Sequence, residues 1–267
     1  MPTQGYVKRH QMMQCLYGLT AGSPGLARYR VTVPAPPSFI SGVKRLLAAD
    51  LAWARAHPKA LESYGMAFYD ELPAGTGTDT NYSLWRVFNL AVALEIVRFG
   101  GRQDEVVDLI SQIQLKLKSA FAKSVRATHP EKFDNYSKNK PENSSLCNNV
   151  AVVDREIYLI LRRVEIAADN QKILGNQFAV GDILYDHWVL EGRSALNFYL
   201  NEQNQTVILA MLVINLTDIA VTTYDLLQLV PARNRGRPSL RLTPQQLPEN
   251  IKQVITEIRV RRFDREQ

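Results

Sequence analysis

The stretch YSLWRVFNLAVALEIVRFGGRQDEVVDLI, residues 82–110, carries the clearest structural pattern in the chain. Ser83 is a good N-cap residue, and the apolar residues behind it recur at helical spacing, which predicts an amphipathic helix. The apolar positions are Val87, Leu90, Ala91, Leu94 and Val97. Gly100 suits the C-cap, because glycine adopts the left-handed backbone conformation without strain. The sequence therefore predicts a helix that begins after Ser83 and ends near Gly100.

A second helix is predicted to start near Gln103. Its apolar positions alternate in spacing between four and three residues, which is typical of a two-stranded coiled coil. They are Val106, Ile110, Ile113, Leu117 and Ala120. Two uses of this face stay open, dimerisation through residues 103–125 or packing within its own chain. The acidic residues Asp104, Glu105 and Asp108 are expected to stabilise the helix dipole rather than to act as a catalytic pair.

The residues before this stretch predict a short strand and two helices. YRVTV, residues 29–33, alternates like a strand and is stopped by the proline-rich PAPP. From Phe39 the pattern is helical until His57-Pro58, and its apolar face holds Val43, Leu46, Leu47, Leu51 and Ala54. A second short helix is predicted from Ala60 to Tyr69.

The second half of the chain predicts a small α+β unit. Residues 127–149 are polar and read as a linker. Residues 156–166, 195–200 and 206–216 are predicted strands, the last two forming a hairpin around the turn 201–205, and residues 218–230 are a predicted helix. The prediction is thus an α+β protein: a mostly helical domain 1–126, the linker 127–149, an α+β domain 150–230, and a basic tail 231–267 with one helix.

The distribution of charge suggests separate roles for these parts. The net charge is +6 at pH 7. Residues 1–50 carry six Lys and Arg against one acid, and residues 231–267 carry nine against four, whereas residues 148–230 carry ten acids against five bases. Basic segments around an acidic one indicate a polyanion-facing part and a part with another task, although tuning of solubility explains the same charges.

Within residues 82–110 the sequence resembles the DNA-binding domain of MerR-type regulators. In that family a wing ends in a Tyr-Ser pair, and a helix with a terminal glycine and an acidic turn follow. Tyr82, Ser83 and Gly100 match these positions, as do Asp104 and Glu105 in the turn. The resemblance implies a winged helix that binds duplex DNA, with Tyr82, Ser83 and Arg86 among the residues that contact it.

The resemblance also places an arginine and leaves the recognition helix open. It puts Arg86 at the start of the helix beside the wing, in reach of a phosphate. Upstream, AFYDELP, residues 67–73, keeps an aromatic pair and the proline but has Ala67 where the family carries an arginine. The recognition helix is therefore sought between Ala60 and Glu71.

The tail contains a second resemblance. RNRGRPSLR, residues 233–241, is similar to the AT-hook and to the minor-groove arm of serine recombinases. Glycine allows the backbone to lie deep in a narrow groove, and flanking arginines reach along its floor. The residues expected to contact DNA here are Arg233, Arg235, Gly236, Arg237 and Arg241. An ordinary basic linker is the alternative.

Catalytic and metal-binding patterns are not found in the sequence. The four histidines are His10, His57, His129 and His187, none at ligand spacing from another. Only Cys15 and Cys147 are present, which fits a reducing compartment. There is no phosphate-binding loop, signal peptide or membrane-length apolar run. We expect no catalytic residues, metal or cofactor, no membrane contact, and a cytoplasmic location.

Two functions follow as hypotheses. The first is a sequence-specific transcriptional regulator that binds duplex DNA as a homodimer, with its effector, if any, unidentified. The second is a non-enzymatic interaction or scaffold protein of phage or plasmid type, whose basic segments only balance acidic partners.

Overall fold

The computed structural model describes residues 6–21, 24–73, 80–130, 155–165, 177–180, 183–201 and 208–230. In chain order the elements are β1 (Tyr6–Lys8), α1 (Arg9–Leu19), α2 (Pro24–Arg30), α3 (Pro37–Ala56), α4 (Pro58–Tyr64), β2 (Asn81–Ser83), α5 (Leu84–Arg98), α6 (Gln103–Thr128), β3 (Ile157–Glu165), β4 (Gln177–Val180), β5 (Ile183–Glu191), α7 (Arg193–Asn201), β6 (Ile208–Asn215) and α8 (Leu216–Leu229). The predicted α+β class is confirmed. Among the described helices, none combines the length and hydropathy needed to cross a bilayer.

The two helices predicted from residues 82–110 are present. Ser83 occupies the N-cap position of α5, and Gly100 has a φ of +100° just after the helix, as its C-cap role requires. α6 begins at Gln103 with Asp104 and Glu105 in its first turn, where acids stabilise the N-terminal end of the dipole.

The apolar face of α6 is used inside the chain. Val106, Ile110, Ile113, Leu117 and Ala120 are all buried, and the helix packs against α3, α5 and α8. Of the two uses left open for this face, packing within its own chain is the one observed, and this face does not form a dimeric coiled coil. Intramolecular helices already cover the face, so it has no apolar area left for a second chain.

The larger sheet has the strand order β4-β5-β3-β6, and all its pairs are antiparallel. Ile157, Leu159 and Leu161 of β3 belong to the buried core that also contains the helices, so this face of the sheet lies on the helical layer. The opposite, outer face carries the alternate residues, because successive side chains in a strand point to opposite faces.

The predicted hairpin is wrong, although the strands β3 and β6 are confirmed. Residues 195–200, the supposed partner strand, lie in α7, and β6 pairs with β3 instead. A short apolar run cannot be assigned to strand or helix from periodicity alone. As a helix, the run places Tyr199 against Trp188 of β5, with the two ring centroids 5.6 Å apart.

The strand predicted at residues 29–33 is also wrong. α2 continues to Arg30, and Val31 and Thr32 form a turn in which each backbone N–H donates to a carbonyl of α2. The β-branched residues Val31 and Thr32 favoured a strand, but Val31 is instead buried against α1 and α2.

α8 joins the two halves of the chain in one core. It follows β6 directly and packs against α1, α5 and α6. The amide of Gln11 donates to the carbonyl of Val230 at 3.0 Å, and the Cys15 thiol donates to the carbonyl of Thr223. The segments predicted as separate domains, 1–126 and 150–230, therefore share buried residues.

A small second sheet pairs the N-terminus with the start of α5. β1 and β2 are antiparallel, with Val7 opposite Tyr82. Tyr82 and Ser83 do end a strand that leads into a helix, as the MerR resemblance implies. Within the described residues, the partner of that strand comes from the N-terminus and not from an adjacent hairpin.

Candidate nucleic-acid interface

The three residues expected to contact DNA near the wing are buried. Tyr82, Ser83 and Arg86 are 1%, 6% and 5% exposed, and each packs into the helical core. The interpretation of Arg86 as a phosphate contact is contradicted by this placement. Arg86 lies on the side of α5 that faces α6 and the segment before β2, and not on the side that faces solvent.

Arg86 is held by partners from three parts of the chain. One of its guanidinium nitrogens donates to the carbonyls of Met66 and Ala67 and to the Gln114 side chain, the last at 2.6 Å. Its Nε lies 3.4 Å from Asp70. Burial lowers the pKa of Arg86 to about 10, opposed by the charges of Asp70 and Asp50, so the group stays charged at neutral pH. Its charge is satisfied internally, and it acts as a structural link.

Two aspartates fix the segment between α4 and β2. Asp50, fully buried on α3, accepts the backbone N–H groups of Ala67 and Phe68 at 3.0 and 2.8 Å. Asp70 accepts both the backbone N–H and the hydroxyl of Ser83, at 2.9 Å each. These contacts were not foreseen from the sequence. The sequence did contain one signal for them, because Asp50 lies on the apolar face of the predicted helix, three residues after Leu47.

This packing narrows the search for a recognition helix between Ala60 and Glu71 to the exposed helix α4. The only helix in that range is α4, which spans Pro58–Tyr64 and has no buried residue. Beyond it, the residues Met66 to Tyr69 are buried and tied to Asp50. That part of the range faces inward and cannot read bases in a groove.

The exposed face of α3 carries only positive charges. Lys44, Arg45 and Arg55 are exposed and lie within one arc of the helix. From Ser41 onward, the other exposed residues of that arc are small: Ser41, Ala48, Ala52 and Ala56. We call these seven residues the α3 basic face. With 20 residues, α3 is about 30 Å long.

Few acids oppose the α3 basic face. Between residues 6 and 64 the chain has two acids, Asp50, which is buried, and Glu62. None of the ion pairs formed among the described residues involves Lys44, Arg45 or Arg55. Arg98, Arg102 and Arg193 differ, since each lies beside a carboxylate. The face therefore presents cationic groups whose charge no described neighbour offsets.

A small cavity lies between the turn after α5 and the sheet. Its volume is about 70 Å³, and Phe99, Gly101, Glu105, Leu161, Arg162 and Ala210 are among its lining residues. The space admits a few water molecules or one short side chain, and it is mostly apolar. This size does not suit a drug-sized effector.

The remaining predicted contacts lie outside the described residues. These are Arg233, Arg235, Gly236, Arg237 and Arg241, in the basic arm. In the described part of the chain, no three His, Cys, Asp or Glu side chains come together in a way that would hold a metal ion.

Comparison with known proteins gives no relative from which a role could be transferred. No protein-family model, no curated protein and no solved structure matches this chain.

Proposed function

We propose that this protein binds duplex DNA through the α3 basic face, assisted by the arm 233–241, and acts as a non-enzymatic regulator of transcription. The observation that supports the proposal most directly is the set of exposed cations Lys44, Arg45 and Arg55 without acidic neighbours. Cations that neutralise phosphates release condensed counterions, which is the main source of affinity for duplex DNA.

The shape of the α3 basic face fits a groove. Small residues between the cations leave the helix surface flat, so its backbone can approach another surface closely. The major groove is about 12 Å wide and admits one α-helix. Lys44 and Arg55 are eleven positions apart, hence about 16 Å along the helix axis. When α3 lies in the groove, side chains at this separation can contact phosphates at the two ends of the inserted helix segment.

Base reading would come from the same face. Alanine methyl groups contact the thymine methyl, and a serine hydroxyl donates to or accepts from base edges. Ala48, Ala52 and Ser41 provide these groups. The arm would then add minor-groove contacts at A·T pairs, where arginines are attracted by the narrow groove. Both parts favour A·T-rich sites.

The proposal is tested by fluorescence anisotropy of the full chain with a labelled mixed-sequence duplex over about 50 to 200 mM salt. The triple variant Lys44→Gln/Arg45→Gln/Arg55→Gln removes the three cations of the face. We expect affinity to fall at least tenfold and the slope of log K against log salt to decrease by about 2.7, at about 0.9 for each phosphate contact.

A matched control carries the same loss of charge elsewhere. Arg98→Gln/Arg102→Gln/Arg193→Gln removes three exposed arginines that lie beside carboxylates. This variant should bind nearly as the native chain does. Equal losses of DNA affinity in both variants would show that overall charge, and not the α3 basic face, causes the effect. The absence of binding at the lowest salt concentration would overturn the proposal.

The second candidate is an interaction protein that acts without DNA. Exposed apolar side chains at one edge of the larger sheet, Val213 and Phe99 among them, favour it. The two candidates use different surfaces, so one does not exclude the other.

A further inference from the structure

β6 lies at the edge of the larger sheet. Its sequence is ILAMLVIN, eight residues without a charge or a proline, and in the described sheet its neighbour is β3 alone. The register irregularity between Arg163 and Val164 affects only its first residues, so Ala210 to Asn215 form a regular strand. Edge strands usually carry a lysine, a proline or a bulge that prevents further pairing. The regular part of β6 has none of these.

Exposed apolar side chains flank this edge on both faces of the sheet. On the outer face, Val213 is 38% exposed. Its cross-strand neighbour Ile160 is fully buried, and Trp188 beyond it packs against Tyr199 of α7. On the helical side, Phe99 is 50% exposed and lines the same cavity as Ala210 of β6. Among the described residues, no strand pairs with the outer edge of β6, and apolar side chains lie above and below that edge.

We propose that β6 pairs antiparallel with β6 of a second copy of this chain, which joins two four-stranded sheets into one. Antiparallel pairing is two-fold symmetric, so identical strands satisfy each other's backbone groups. The strand is neutral, and it offers no charge to a strongly acidic or basic partner. A second copy matches it in length, neutrality and apolar side chains on both faces.

The flanking residues complete the interface. Two paired strands alone bury less than the 1,200 Å² or so of a stable protein interface. Pairing also brings the Val213 side chains of the two copies together on the outer face and covers Phe99 on the helical side. The cavity beside Ala210 is a recess for a short apolar side chain of the second copy. The buried face of α6 takes no part in this dimer.

The proposal is tested by sedimentation equilibrium of the full chain without nucleic acid. We expect a reversible dimer. Val213→Lys adds an edge lysine whose side chain points away from the core, and it should raise the dimer dissociation constant at least tenfold with an unchanged circular-dichroism spectrum. Val213→Thr, which keeps a neutral β-branched residue, should retain the dimer.

Leu115→Lys is the matched control. It adds the same charge at a residue of α6 that is 74% exposed and outside the proposed interface, and it should leave the dimer intact. A native chain that is monomeric at all concentrations would overturn the proposal. So would a Val213→Lys variant that dimerises normally, or equal dissociation by Leu115→Lys.

Cross-linking gives a readout that does not depend on disrupting the interface. In a Cys147→Ser background, Val213→Cys should form a covalent dimer with a short bis-maleimide, since facing strands place residues about 5 Å apart. Leu115→Cys should not at the same concentration. Because no DNA is present, loss of this dimer and loss of DNA binding are separate results.

Discussion

Arg86 of α5 donates a hydrogen bond to the side chain of Gln114 of α6 at 2.6 Å, deep in the core. The same guanidinium also binds two backbone carbonyls and lies beside Asp70. One cation therefore joins α5, α6 and the segment before β2. This position explains why an arginine in a segment that resembles a DNA-binding wing is a structural residue here.

Replacing Arg86 should destabilise the protein rather than weaken DNA binding alone. Arg86→Met leaves the Met66 carbonyl and the side-chain oxygen of Gln114 without the donor that Arg86 supplies, and it leaves Asp70 without its cation. Breaking a buried charged network costs about 3 to 5 kcal/mol. Urea denaturation measures this loss. A variant of native stability with reduced DNA affinity would instead restore Arg86 as a phosphate contact.

Asp50 should make stability depend on pH. Burial is the main cause that raises its pKa to about 6, while the N–H groups of Ala67 and Phe68 and the charge of Arg86 lower it. Since this pKa is above the ordinary value of 3.8 for an aspartate, the folded state binds the proton more tightly than the unfolded state does. The resulting stabilisation is complete below pH 3.8 and disappears as pH rises through 6.

The free energy of unfolding of the native chain, minus that of Asp50→Asn, should therefore fall between pH 4 and 7. Chemical denaturation across this range measures the difference. A difference that stays constant, or rises with pH, would contradict the assigned pKa shift.

His187 should make stability depend on pH in the opposite direction to Asp50. It is 3% exposed, and burial lowers its pKa to about 4, with Lys116 adding to the effect and Asp186 opposing it. Its folded-state pKa lies below the ordinary value of 6.5 for a histidine, so its contribution to stability is present above pH 6.5 and is lost as pH falls through 4. His187→Phe should remove this acid sensitivity, which thermal denaturation at several pH values detects. A variant as acid-sensitive as the native chain would exclude His187 as the cause.

Two helical glycines should respond oppositely to alanine. At Gly18 of α1, an added Cβ would lie 2.8 Å from Val31 and 3.0 Å from Leu226, whereas at Gly42 of α3 it meets nothing within 4 Å. Overpacking costs about 1 to 3 kcal/mol, so Gly18→Ala should destabilise. Gly42→Ala should stabilise by about 0.5 to 1 kcal/mol, because glycine is the poorer helix former. Equal effects in denaturation would contradict the close packing of α1, α2 and α8.

The basic arm should contribute to binding at A·T-rich sites. Arg235→Gln/Arg237→Gln is expected to weaken binding to an A·T-rich duplex more than to a G·C-rich one, because minor-groove arginines favour narrow A·T tracts. Anisotropy titrations with the two duplexes measure the ratio. Equal losses of affinity for the two duplexes would indicate that the arm contacts phosphates without preference for A·T pairs.

Several elements could be predicted because their signals are local. The N-cap Ser83, the C-cap Gly100 and the apolar periodicity were sufficient for α5 and α6. The apolar runs IYLIL and ILAMLVI were sufficient for β3 and β6. Residues 195–200 were not predictable, because a six-residue run fits both a strand and a helix until Trp188 is known to face it.

The candidate nucleic-acid interface was harder to predict from the sequence than these elements were. The apolar stripe of α3 was predicted, but the charges opposite it were not singled out as a site. The resemblance to a wing drew attention to Arg86 instead. Burial of an arginine depends on distant acceptors such as Met66, Ala67 and Gln114, which no local pattern reveals.

The position of α8 also has a consequence for synthesis on the ribosome. Because α1 packs against a helix that ends at Leu229, the core can close only after nearly the whole described chain has left the exit tunnel. Nascent or prematurely terminated products that lack α8 would leave the apolar sides of α1, α5 and α6 uncovered. Such products are expected to be chaperone clients and substrates for quality-control proteases.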